Sequence, residues 1–172
     1  METKKWFARQ FDFNLNKEDY AGIYERLLQG AGAVKQVTTG LAEEILILQP
    51  EGKWSIKEHI GHLSLLEPLW RARFKDIQES KPVLTPTDLE NRATTNAGFN
   101  GIDLQLLINT FAEERNKTLA LLNDMNEQDF AKTSLHPRLQ QSMRIIDNAY
   151  FVAEHDGHHI QRIIEIINLF NN

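Results

Sequence analysis

Residues 54–79, WSIKEHIGHLSLLEPLWRARFKDIQE, decide the fold. Ser55-Ile56-Lys57-Glu58 has the pattern of a capping box, in which the Ser55 hydroxyl and the Glu58 carboxylate each accept a backbone N–H that the first helical turn leaves unpaired. A helix is therefore predicted from Ser55 to about Glu79, with Trp54 just outside it. At about 100° per residue, Ile56, Ile60, Leu63, Leu66, Leu69, Trp70, Phe74 and Ile77 gather on one broad face. A helix with such a face must bury it against other helices or a sheet.

The flanking sequence offers helices. Upstream, a helix is expected from Asn16, as the capping residue, to about Gly40, with Glu18 and Asp19 in the first turn where the dipole favours negative charge. Gly30 and Gly32 weaken it by roughly 1 kcal/mol each relative to Ala, so a kink or a close helix contact is expected there. Residues 80–101 carry Pro82, Pro86, Gly98 and Gly101 and form a long irregular connection, a place where function often resides. A third helix spans Asp103 to Asp124, with Leu104, Leu107, Ile108, Phe111, Leu119 and Leu122 as its apolar set. After a stretch holding Pro137 and a short turn near Glu127–Phe130, Ser142 is expected to cap a last helix reaching Phe170. Four amphipathic helices with very unequal connections make an all-α four-helix bundle with one or two crossovers. At about 150 residues per domain, the 172 residues predict one domain spanning 1–172.

Composition narrows the function. The 19 Lys and Arg against 24 Asp and Glu give a net charge of −5, which disfavours nucleic acid and anionic membranes as partners. The absence of Cys removes thiolate catalysis, disulfides, Cys-based zinc sites and iron–sulfur clusters, so a metal site must use His and carboxylates. Residues 1–10 lack the apolar core of a secretion signal, and the longest aliphatic run, Ile45–Leu48, is far short of a membrane span. A cytoplasmic protein is expected.

Five of the six His fall in two windows: His59 and His62 on the second helix, His155, His158 and His159 on the fourth. His155 and His159 are four apart and share a face, with Cβ atoms about 6 Å apart. His158 points about 60° and 100° away from them. His159 and His155 lie at a margin of the apolar arc formed by Ile145, Ile146, Ala149, Val152, Ile160 and Ile163, among others, and His62 lies at the margin of its own helix face. If the two helices pair, three imidazoles from facing helices form a site with open coordination positions. An isolated i, i+4 His pair is more often a surface or core pair. A zincin reading of His155-Asp156-Gly157-His158-His159 is weaker still, because that motif needs Glu directly after the first His, where Asp156 is one methylene shorter, and only 13 residues follow His159 to supply a third ligand.

Trp54-Ser55-Ile56-Lys57-Glu58 with His62-Leu63, and Tyr150 to Ile160 (YFVAEHDGHHI), resemble the DinB-like superfamily, which includes the YfiT-type proteins. Phe11-Asp12-Phe13 and His136-Pro137-Arg138-Leu139 extend the resemblance over most of the chain. It implies a four-helix bundle, often a homodimer, holding one divalent metal through three His. The His eight residues after the Trp is His62, and the HxxxH pair is His155 and His159. Zinc or nickel are the first candidates for the ion, with iron or manganese as alternatives. Periodicity alone favours His59, which sits nearer the middle of the apolar face; only the family spacing selects His62. The activities implied are small-molecule reactions, either transfer involving a low-molecular-weight thiol or metal-dependent hydrolysis. The alternative is a non-catalytic bundle in which the metal staples two helices. Asp156, inside the apolar arc, must be paired, either to a metal-bound His or to an Arg. Glu58 is explained by capping. Arg73 and Arg115 either hold an anionic substrate or are ion-paired, and His136 receives no role.

Overall fold

The computed structural model describes residues 6–170; the stretch Met1–Lys5 of the N-terminal segment considered above lies outside them. Helix α1 (Asp19–Thr38) is followed by the single turn α2 (Glu43–Leu46), the long α3 (Ile56–Gln78), the short α4 (Arg92–Asn96), α5 (Leu104–Asn123) and α6 (Ile145–Asn168). Between α5 and α6 lies a hairpin of two-residue strands, β1 (Ser134–Leu135) and β2 (Ser142–Met143), in which Ser134 pairs with Met143 and Leu135 with Ser142. Helices α1 and α3 each pack against both α5 and α6, so α1 lies diagonal to α3 and α5 diagonal to α6. Two of the three connections between long helices therefore cross the bundle.

The capping box at Ser55 forms: Glu58 N–H donates to Ser55 Oγ at 3.1 Å and Ser55 N–H to the Glu58 carboxylate at 2.8 Å. Two other helix starts differ from expectation. Helix α1 begins at Asp19, whose carboxylate accepts from Asn16 N–H at 2.7 Å, so the charged acceptor within the helix replaces the Asn16 amide as the cap. Ser142 is drawn into β2, and α6 instead starts at Ile145, where the Asp147 carboxylate accepts from Arg144 N–H and from its guanidinium at 2.8 Å. The hairpin has no periodic apolar signal, because strands of two residues are too short to carry one.

Two apolar clusters fill the bundle. One gathers Leu27, Trp70, Phe74, Leu119, Ala149 and Val152 among others. The second is built around Val34, Ile60, Leu63, Phe111, Ile163 and Ile166. Between them each long helix contributes one residue to a polar level: Gly30, Glu67, Arg115 and Asp156. Arg115 donates to Glu67 Oε1 from Nε (2.9 Å) and Nη2 (2.7 Å), and to Asp156 Oδ2 and Oδ1 from Nη1 (2.7 Å) and Nη2 (3.1 Å). Gly30 lets α1 approach this network, since a Cβ there would lie 3.1 Å from Asp156 Oδ2. The close-contact reading of that glycine holds.

Candidate metal centre

Helices α3 and α6 run antiparallel, as their paired contacts show: His62 meets His159 and His155, and eight residues further along α3 Trp70 meets His155 and Phe151. This packing brings together the three residues singled out by the family spacing. His62 Nε2 lies 3.3 Å from His155 Nε2, which lies 3.2 Å from His159 Nε2. One ring nitrogen from each falls within 4.8 Å of the other two, and all three side chains are buried.

The opposite edges of the rings have partners of their own. His62 Nδ1 is 2.8 Å from Thr94 Oγ1, and His159 Nδ1 is 2.8 Å from His59 Nδ1. With the protons assigned to these Nδ1 atoms, the Nε2 lone pairs of His62 and His159 turn towards the cluster, as a ligating imidazole requires. His155 Nδ1 is buried without a hydrogen-bond partner among the described residues. With the His62 and His159 protons on Nδ1, at most one proton, that of His155, serves the two Nε2···Nε2 contacts of 3.3 and 3.2 Å, so at least one pair of nitrogens faces without a proton of its own. A tetrahedral ion with metal–nitrogen bonds of about 2.0–2.1 Å sets its ligand atoms about 3.3 Å apart. The residues therefore fit a divalent ion.

Burial keeps these rings neutral. It lowers the pKa of His62 to about 4, with His158 adding to the shift, and holds His155 and His159 well below the ordinary histidine value. His59, also buried, is lowered to about 3.

A cavity of about 530 Å³ opens on the cluster. Trp54 stands 4.7 Å from the His62 ring, and Trp6 and Trp70 stand 5.1 and 5.3 Å from that of His155, so indole surrounds the imidazoles. Among the described residues no fourth His, Cys, Asp or Glu joins the group.

The other candidates separate clearly. His158 lines the cavity but not the cluster. His59 stands outside the three-His group and meets the outer nitrogen of His159. Asp156 takes the ion-pair alternative, and Arg115 is consumed by Asp156 and Glu67. Glu58 accepts from Gln49 as well as from Ser55. Arg73 lines the cavity, as does His136, which had received no role. Thr94 also went unnoticed: it comes from α4, in the connection expected to be irregular, and Thr in a Pro- and Gly-rich stretch carries no signal of a partner 32 residues away.

No curated protein matches this chain in sequence. Among solved structures it resembles YfiT from Bacillus subtilis, described as a probable metal-dependent hydrolase with an unusual four-helix bundle topology. The two share 19% sequence identity and superpose with a TM-score of 0.82 over 95% of this chain and 94% of that one. Residues 26–163 match the model of the DinB superfamily, a span that contains all four long helices in whole or in large part and all three clustered imidazoles. With that match over most of its length, the chain belongs to the DinB superfamily.

Proposed function

We propose that this protein is a metal-dependent enzyme acting on a small molecule, with His62, His155 and His159 holding one divalent ion and hydrolysis as its reaction. The observation that carries this reading is the one-sided donor set: three neutral imidazoles line a 530 Å³ cavity with no fourth His, Cys, Asp or Glu joining them among the described residues. A structural staple closes its ion with four protein ligands, whereas three leave room for water or substrate. The description of YfiT as a probable metal-dependent hydrolase supports the same reading. When bound, the ion supplies Lewis acidity and lowers the pKa of water.

The chain's own residues prepare that chemistry. Thr94 and His59 hold the His62 and His159 rings in the orientation that presents Nε2. Trp6, Trp54 and Trp70 exclude bulk water from around them, which strengthens every charge interaction in the cavity. In a second reading, transfer involving a low-molecular-weight thiol, the sulfur nucleophile would have to arrive from outside into this open cavity, because the chain has no Cys of its own.

Elemental analysis of the purified protein is expected to give about one zinc or nickel per chain. A cobalt-substituted sample is expected to change its visible spectrum on adding a small thiol or carboxylate. Hydrolysis and thiol-transfer screens with and without chelator then separate the two reactions. A metal-free protein, or a cobalt spectrum indifferent to every added ligand, would refute the enzymatic reading.

A further inference from the structure

Arg73 is a buried cation with no paired carboxylate among the described residues. It lies on α3 and is 1% exposed. Its Nε donates to Thr85 O at 2.9 Å, its guanidinium lies over the Trp70 ring at 5.4 Å, and its Nη2 has no hydrogen-bond partner among the described residues. Asp76, the acid that acts on it, is already occupied by Lys81 at 2.9 Å and by the N–H and hydroxyl of Thr85 at 2.7 Å.

The remaining contact of Arg73 is with another donor. Arg73 Nη1 lies 3.2 Å from His136 Nε2. His136 Nδ1 accepts from the backbone N–H groups of Arg138 (3.2 Å) and Leu139 (3.1 Å), so the one proton of the neutral ring sits on Nε2. Burial lowers the His136 pKa to about 3, with Arg73 and Arg138 adding to it, so the ring is neutral at pH 7. Nη1–H and Nε2–H therefore face each other with no acceptor between them, beside the unused Nη2. Unsatisfied buried donors of this kind are costly, and a charged acceptor is what resolves them. The guanidinium of Arg138, half-buried and stacked 5.2 Å from Phe7, adds positive potential at the same wall.

We propose that Arg73 and His136 form a carboxylate-binding subsite in the wall of the cavity that also holds the His cluster, so that the substrate is a small organic acid anchored by its carboxylate. The proposal rests on the reading of this cavity as a substrate site. A carboxylate matches the site better than a phosphate group: the donors at Arg73 are few, the nearby walls are Trp70 and Phe151, and the cavity lining includes an exposed acid, Asp88, which disfavours a more highly charged anion. Asp88 is itself engaged by the N–H groups of Glu90 and Arg92.

The test is ligand binding followed by tryptophan fluorescence, because Trp6, Trp54 and Trp70 all line the cavity. Acetate and phenylacetate are compared with acetamide and phenylacetamide, and with inorganic phosphate, on metal-loaded and on chelator-treated protein. Phenylacetate is expected to bind chelator-treated protein at least about tenfold more tightly than its amide. Arg73→Met is expected to abolish that preference, and Arg73→Lys to restore part of it. The acid-over-amide preference is read on the unaltered protein, so the outcome stands even if Arg73→Met folds poorly. Equal binding of acid and amide, or no saturable binding of either, would overturn the proposal. So would phosphate binding as tightly as phenylacetate, or acid binding that disappears with chelator and survives in a folded Arg73→Met, since the carboxylate would then sit on the metal. Failure of the metal reading shows separately, as absence of metal from the purified protein.

Discussion

The carboxylate of Asp156 grips Arg115 through two hydrogen bonds of 2.7 and 3.1 Å, although Asp156 directly follows the cluster residue His155 in sequence. One residue is about 100° of helix, so His155 faces the cavity while Asp156 faces the bundle interior. The same turn of α6 thus serves the candidate site on one side and the buried ion network on the other.

Removing Arg115 would leave Asp156 and Glu67 buried without their cation. Arg115→Met is expected to cost about 3–5 kcal/mol of unfolding free energy, read by urea denaturation. Gly30→Ala places a methyl 3.1 Å from Asp156 Oδ2 and 3.2 Å from Arg115 Nη1, and is expected to cost about 1–3 kcal/mol. The folded fraction of each variant should keep its metal content, because neither residue touches the imidazole cluster.

Replacing His62, His155 or His159 by Ala removes a third of the proposed donor set. Each change is expected to lower metal affinity by more than the roughly 10–100-fold that loss of an outer hydrogen-bond partner costs. His158→Ala should keep full occupancy by elemental analysis. Emptying by His158→Ala together with full occupancy in His155→Ala would contradict the assignment of faces on α6.

Thr94→Val and His59→Phe keep the shape near the cluster but delete the groups that orient His62 and His159. Their metal affinity is expected to fall about 10–100-fold while the helical circular dichroism stays unchanged. A chelator competition titration measures it, and unchanged affinity in both variants would remove Thr94 and His59 from the site.

Acid should destabilise the metal-free protein. His59 and His136 are lowered to about 3, and His62 and His158 to about 4, burial being the main cause for each. Unfolded, they would bind protons near pH 6.5, so between that value and 3–4 the unfolded chain holds more protons than the folded one. Their contribution to stability is therefore complete above pH 6.5 and is lost as pH falls, by up to about 1.4 kcal/mol per pH unit for each of His59, His62 and His136 and by less for the half-buried His158, whose charge solvent screens. Urea midpoints of chelator-treated protein at pH 7, 6 and 5 should decrease steadily; a flat profile would show that these rings are not buried and neutral.

The helical periodicity of α3, α5 and α6 and the Ser55–Glu58 cap were legible in the sequence because each is a local property, repeated every turn or closed within three residues. The spacing of His62, His155 and His159 was legible only through family resemblance, since the apolar face of α3 taken alone points to His59. The roles of Asp156, Arg115, His136 and Thr94 depended on which helix or loop lies opposite. Sequence therefore determined which faces are buried and which side chains have metal-binding chemistry. The antiparallel docking of α3 on α6, the return of the hairpin beside Arg73 and the diagonal placement of α1 and α3 belong to tertiary structure, because they arise from contacts between residues far apart in the chain that no local pattern encodes.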